Sequence, residues 1–174
     1  MRQMARYGFI LMVICVVASG LLAAVNALTK EKIVAQARAE EEDSLREVLP
    51  GALRFEAVNS ADQLLYYKGY DKQGRLVGVA FKASGKGYSS QIETMAGMSL
   101  NGVITAIKVV SHNETPGLGS RVAEPEFAAL FANRNVGQLG QVQAITGATI
   151  SSRAVINAVQ RRAEEVRGLL NDAK

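Results

Sequence analysis

From Tyr7 to Leu28 the chain carries no charged side chain, a run of 22 residues. As a helix rising ~1.5 Å per residue, the run measures about 33 Å, enough to cross a hydrocarbon core of about 30 Å. Two uses of such a run compete with a buried core helix. One is a retained membrane anchor. The other is a cleaved signal peptide, for which Val25-Asn26-Ala27 offers a small-residue cleavage site. The run exceeds the length of an ordinary signal core, so a single transmembrane helix is expected. Arg2 and Arg6 precede it, which puts the N-terminus in the cytoplasm and exports the remainder. The charge bias behind that orientation is weak, because Lys30, Lys32 and Arg38 flank the other end.

The other 152 residues are enough for one domain and a short accessory segment. The net charge of +4 is spread along the chain rather than gathered in a stripe, which argues against a nucleic-acid partner. Cys15 is the one cysteine and lies inside the apolar run, so neither an intrachain disulfide nor a thiolate metal site is available. His112 is the one histidine, which leaves no set of ligands for an ordinary zinc site. No metal site is expected.

After the apolar run, Thr29 to Val48 reads as a helix that Thr29 interrupts or caps. Ile33, Val34, Ala37, Leu45 and Val48 are its sparse apolar positions, and Glu40-Glu41-Glu42-Asp43 is a solvated face. Pro50-Gly51 stops it. The expected organisation is an anchor over residues 1–28, a helical stalk over 29–51 and a domain over 52–174. Within the domain, Ala52–Val58, Leu64–Tyr70 and Leu76–Ala83 read as strands, with a turn at Asp71-Lys72-Gln73-Gly74. Tyr66, Tyr67 and Tyr70 suit sheet packing. Ile92–Met98 and Val103–Val110 form a hairpin around Asn101-Gly102, with Met95 and Met98 read as core packing. A short helix opens at Pro125 with an apolar face of Phe127, Leu130 and Phe131. Val136–Val142 is loop or short strand. A final helix over about Ser151–Leu170 buries Val155, Ile156, Val159, Ala163, Val166 and Leu170, with Arg161, Arg162, Glu164 and Glu165 largely opposite. The fold class is α+β, an antiparallel sheet with packed helices, preceded by the transmembrane helix and its stalk.

Three segments carry candidate chemistry. Ala83-Ser84-Gly85-Lys86-Gly87-Tyr88-Ser89-Ser90 is glycine-rich and contains a lysine. It suits either a tight connection or a phosphate cradle, but it lacks P-loop spacing. His112-Asn113-Glu114-Thr115-Pro116-Gly117-Leu118-Gly119-Ser120 is a constrained turn whose glycines permit close backbone approach. Ala144-Ile145-Thr146-Gly147-Ala148-Thr149-Ile150-Ser151-Ser152 is an uncharged, hydroxyl-rich entry to the last helix. Its free N–H groups and positive helix end suit a phosphate, and Arg153 is a candidate countercharge. Ser151 and Ser152 equally suit helix capping. Thr149 has no neighbouring base to activate it, so any bond to it is expected to be made by another enzyme.

The E-T-P-G-L-G and T-G-A-T-I-S-S strings, in that order along the chain, resemble the two signatures of FMN-binding domains in which a threonine carries FMN through a phosphoester bond. That family includes the G subunit of Rnf complexes and the C subunit of the sodium-translocating NADH:quinone oxidoreductase. The likeness covers roughly Leu53 to Leu170, and the anchor-plus-stalk layout is similar to the Rnf subunit. The resemblance implies covalent FMN on Thr149. It also implies motif neighbours Thr146, Gly147, Ala148, Ser151 and Ser152, with Glu114, Thr115, Pro116, Gly117, Leu118 and Gly119 near the flavin. It further implies a flavin transferase that uses FAD as donor and partner subunits of a membrane complex. That complex would couple ferredoxin and NAD redox chemistry to ion transport, in the bacterial inner membrane, with the C-terminal domain on the periplasmic or outer side. Membrane lipid would contact residues 7–28. The subunit would not be catalytic alone. One position departs from the pattern: the family usually has an acid where this chain has Gln143. That departure favours the alternative, a non-redox structural or assembly subunit that has lost flavinylation.

Overall fold

The computed structural model describes residues 2–60 and 63–172. Met1, where the expected anchor begins, and Ala173 and Lys174, where the expected domain ends, lie outside them. The chain divides into two compact units, Met1–Glu41 and Glu42–Lys174.

One helix, α1 (Arg2–Val48), begins in the first unit. Its apolar stretch is long enough to cross a membrane, with a mean hydropathy of 2.7 over its most apolar window, none of it buried against protein. Large apolar side chains such as Phe9, Leu11 and Leu22 are exposed along it, as a lipid-facing helix requires. Thr29 neither interrupts nor caps the helix. Its hydroxyl donates to the Val25 carbonyl one turn back at 2.7 Å, which satisfies the side chain without breaking the ladder.

In the second unit α1 ends at Val48, just ahead of Pro50. Five antiparallel strands follow in a meander, paired in the order β1-β2-β3-β4-β5. They are β1 (Arg54–Ser60), β2 (Gln63–Tyr70), β3 (Leu76–Lys86), β4 (Gln91–Ser99) and β5 (Ile104–Ser111). A short helix α2 (Pro125–Ala129) and a long helix α3 (Thr149–Asp172) complete the unit, with 3₁₀ turns at Gly119–Ala123 and Val136–Gln141. This is the expected α+β class with an antiparallel sheet.

The pleat of β3 and β4 decides what each face of the sheet does. Val79, Phe81 and Ala83 point with Ile92, Ala96 and Met98 into the main core, against Val155, Ile156, Val159, Ala163 and Val166 of α3. Ala80 and Met95 point the other way, against Leu45 and Val48 at the end of α1. The last turns of the stalk are therefore part of the domain's packing. The Thr105 hydroxyl on β5 donates to the Val48 carbonyl, and Lys108 pairs with Glu47 at 2.6 Å. A helix end leaves carbonyls without donors of their own, and Thr105 supplies a donor for one of them. Gly97 makes room: a Cβ there would collide with the Val48 carbonyl and the Thr105 hydroxyl.

Several local expectations differ from the structure. Of the two alternatives for Val136–Val142 the strand is not formed; Val136–Gln141 is a 3₁₀ turn. Ala52 is buried, but the first strand starts at Arg54. β3 runs on to Lys86, so only Gly87–Ser90 remains of the glycine-rich segment as a turn. Leu130 is 37% exposed, and α2 buries Phe127, which packs edge to face on buried Phe131 with ring centres 5.4 Å apart. Arg162 does not simply face water: its guanidinium donates to the Leu65 carbonyl of β2 at 2.7 Å. Tyr66 is buried, and Met95 and Met98 are core residues, as expected.

The seat of α1 on β4 yields a prediction. Gly97→Ala is expected to cost about 1–3 kcal/mol by overpacking against backbone that cannot move aside, read as a lower thermal midpoint of the detergent-solubilised protein. An unchanged midpoint would mean that the Val48 end is not held there.

Candidate functional site

The glycine-rich turn, the loop after β5 and the entry to α3 meet at one carboxylate. Glu114 is 5% exposed. The backbone N–H groups of Tyr88, Ser89 and Ser90 donate to it at 3.1, 2.9 and 2.9 Å. The Ser151 hydroxyl donates to it at 2.6 Å. Three segments far apart in sequence are thus tied to one side chain. Two glycines make the approach possible: a Cβ on Gly87 would stand 2.6 Å from one carboxylate oxygen, and a Cβ on Gly119 would stand 2.6 Å from the other.

Each segment has its own local reason for its shape. Gly87 donates its N–H to the Ser90 carbonyl at 2.8 Å, which closes the β3–β4 turn. In the loop after β5, Leu118 and Ser120 both donate to the Thr115 carbonyl at 3.2 Å. Gly117 sits at φ +73° and donates to the Ser120 hydroxyl at 2.9 Å. At the entry to α3, Ala148 donates to the Ile145 carbonyl at 3.0 Å across a turn in which Gly147 holds φ +84°, a conformation disfavoured for residues with a Cβ. Ser152 is fully buried, and its hydroxyl accepts from the Ile145 N–H at 3.1 Å. Its work is therefore to hold the incoming turn onto the helix.

Around Glu114 lies an open cleft of about 420 Å3. Glu114, Thr115, Leu118, Gly119, Gly147, Ala148, Thr149 and Ser151 line it. These are eight of the twelve residues that the sequence motifs nominate. Thr146, Pro116, Gly117 and Ser152 are not among the lining residues; the first three are exposed and the last is buried behind it. Tyr88 and Ile150 also line the cleft, and the motifs do not nominate them. A tyrosine in a glycine turn and an isoleucine between two hydroxyl residues are the available signals. Tyr88 is 73%, Ile150 56% and Leu118 52% exposed, so three large apolar side chains stand at the cleft without being used by the core. Thr149, exposed, opens α3.

Two electrostatic expectations are corrected. The glycine-rich turn is an anion cradle, but its N–H groups are already taken by Glu114 rather than left for a phosphate. Arg153 does not supply a countercharge to the cleft: its guanidinium donates to the Gly140 carbonyl at 3.2 Å. Among the described residues, no lysine, arginine or histidine lines the cleft. Burial by itself would raise the Glu114 carboxyl. The Ser151 hydroxyl and the N–H groups of Ser90, Ser89 and Tyr88 outweigh it and bring the group from 4.5 down to about 2. Donors that prefer the charged form therefore win over desolvation.

The sign of the resulting pH dependence follows. A carboxyl depressed in the folded state contributes stability above its unfolded value of 4.5, and that contribution is lost as pH falls toward the folded value. Thermal midpoints measured from pH 5 to pH 2 are expected to fall in the native protein and to fall less steeply in Glu114→Gln. Parallel curves would contradict the role of the carboxylate.

Comparison with known proteins accords with this geometry. The FMN-binding domain model matches residues 87–164, and the RnfG N-terminal region model matches residues 1–48. The G subunit of the ion-translocating oxidoreductase complex of Methanosarcina acetivorans is 35% identical over 90% of this chain and 90% of its own length. The G subunit of the Na(+)-translocating ferredoxin:NAD(+) oxidoreductase complex of Acetobacterium woodii is 32% identical over 88% of this chain and 87% of its own. Among solved structures, the C subunit of the Na(+)-translocating NADH-quinone reductase from Parabacteroides distasonis superposes with a TM-score of 0.53 at 16% identity, over 74% of this chain and 82% of that one. At that identity the likeness concerns the fold alone. A relative more than a third identical along nine tenths of both chains, together with family matches to the N-terminal helix and to the cleft-bearing domain, places this chain in the family of G subunits of ion-translocating oxidoreductase (Rnf) complexes.

Proposed function

We propose that this chain is a membrane-anchored electron-transfer subunit of an Rnf-type complex, that it binds FMN, and that Thr149 carries the FMN through a phosphoester bond. The observation that carries the reading is the meeting of the two signature segments at one cleft, with exposed Thr149 at the first position of α3. The complex would couple ferredoxin and NAD redox chemistry to ion transport, as the names of relatives from Clostridium ljungdahlii and Acetobacterium woodii say of theirs. The subunit acts through its complex rather than as an enzyme by itself.

The residues fit the group. A volume of about 420 Å3 falls in the range of about 300–1,000 Å3 usual for ligand clefts. Tyr88, Leu118 and Ile150 offer apolar surface for a flat ring. The first turn of α3 leaves N–H groups without helical acceptors next to Thr149, which favours a phosphate there through hydrogen bonds and the positive helix end. With no cation among the described residues that line the cleft, these N–H groups are the phosphate's main local support. When bound, FMN supplies transfer of one or two electrons.

Thr149 has no means of activating itself. Among the described residues, Glu114 is the only carboxylate lining the cleft. With donors from Tyr88, Ser89, Ser90 and Ser151 on it and its proton affinity lowered, it is a poor base. Attachment therefore belongs to a flavin transferase: the Thr149 oxygen bonds the FMN phosphorus, the diphosphate bond of FAD breaks, AMP leaves, and the hydroxyl proton passes to a base on the transferase. We assign residues 1–28 to the anchor, 29–51 to the linking segment, whose last helical turns pack on the domain, and 52–174 to the flavin domain. The anchor sits in the bacterial inner membrane, in contact with lipid through residues 7–28. The flavin domain lies on the periplasmic or outer side, where a covalent tether keeps the cofactor from diffusing away.

Intact mass of the protein from its native membrane, with in-gel flavin fluorescence after denaturation, tests this directly. An FMN-sized addition on the Thr149 peptide is expected, and Thr149→Ala is expected to lose it while keeping its circular dichroism and thermal midpoint. Covalent FMN retained in that variant would sink the assignment. Gln143→Asp is expected to label as well as the native chain or better, scored as the modified fraction with transferase in excess. Reduced labelling would contradict the reading of that position.

A further inference from the structure

Glu114 is more than a tie between loops, because its charge stays in the cleft. Building on the flavin reading above, we propose that Glu114 is a fixed negative charge that holds the reduction potential of the cleft's flavin below the value it would have beside a neutral residue.

Four observations carry this. The carboxylate lines the same cleft as Thr149. It is 5% exposed, so solvent ions screen it poorly. Its partners are dipoles, three backbone N–H groups and the Ser151 hydroxyl, which stabilise an anion without cancelling its charge. Among the described residues, no cation lines the cleft beside it. Arg153 is not among the residues that line it, and its guanidinium donates to the Gly140 carbonyl at 3.2 Å. The depressed proton affinity of the group keeps it ionised at every pH at which such a complex works.

The consequence is electrostatic. An electron taken from a one-electron donor without a proton adds one negative charge to the cofactor. Glu114 opposes that addition by like-charge repulsion. Proton uptake from solvent relieves the opposition, so the effect falls chiefly on electron addition that is not accompanied by protonation. A charge near the ring is one of the means by which a protein tunes a bound flavin.

The test uses the full chain, purified in detergent from cells that also make a flavin transferase, and a spectroelectrochemical titration of the native protein and Glu114→Gln. Glutamine keeps the shape and one acceptor oxygen for the turn, and removes the charge. The variant is expected to be reduced more easily, with the reduced-to-oxidised ratio at a set potential up by about tenfold, or ~59 mV for a one-electron step. The difference is expected to persist at high salt. A folded, flavin-loaded Glu114→Gln with the native potential would overturn the proposal and leave Glu114 a brace alone. Should that variant not fold or not load, Ser151→Ala decides: it keeps the carboxylate and removes a hydroxyl donor from it, so the potential is expected to drop. An unchanged or raised potential there counts against the proposal. Absence of covalent FMN from the native protein by intact mass is a separate result, which defeats the flavin reading rather than this one.

Discussion

The site depends on a buried carboxylate whose demand for donors exceeds what any one segment can supply. An ionised group that is nineteen-twentieths buried is tolerated only when it is fully hydrogen-bonded. Glu114 meets that condition by drawing the β3–β4 turn and the first turn of α3 onto itself. The cleft is what remains open between the segments so gathered. Its shape is therefore set by a polar requirement, while the sheet and α3 beneath are held by ordinary apolar packing. The two glycines that touch the carboxylate belong to the same device, since any side chain at Gly87 or Gly119 would occupy the space the oxygens need.

A second constraint operates on the opposite face of the sheet. There the chain emerging from α1 is fixed by Leu45 and Val48 on Ala80 and Met95, and by the Thr105 hydroxyl on the Val48 carbonyl. The meander has one helix layer built from the C-terminal end of the chain and another from the segment just after the anchor. Where α1 and α3 cover both faces, Val79 to Phe81 and Met95 to Met98 are buried without alternation, and where α1 no longer reaches, Lys82, Ser84, Lys86, Gln91 and Glu93 alternate outward to water.

Much of this is legible in the sequence. The anchor follows from charge-free length, the meander from turn residues and alternation, and the apolar face of α3 from its spacing. The two signature strings point to one site ahead of any geometry, and Glu114, Thr149 and Ser151 do lie along one cleft. What cannot be read are relations between distant segments. Nothing in Tyr88-Ser89-Ser90 says that its N–H groups serve Glu114, 24 to 26 residues on. Nothing in Arg162 says that it reaches the Leu65 carbonyl, 97 residues back. Leu130 fits the periodicity of a buried face, but α2 ends at Ala129, before the turn that would have buried it. Such partners are decided by the packing of whole elements, and local pattern carries no trace of them.

The order of the elements along the chain bears on timing. Each strand pairs with its neighbour in sequence, so the sheet can assemble stepwise along the chain, N-terminus first. The cleft cannot. It exists only once α3, the last element, has docked and Ser151 has reached across 37 residues to Glu114. A ligand that needs both walls of the cleft therefore finds its site only on chains in which α3 has already docked.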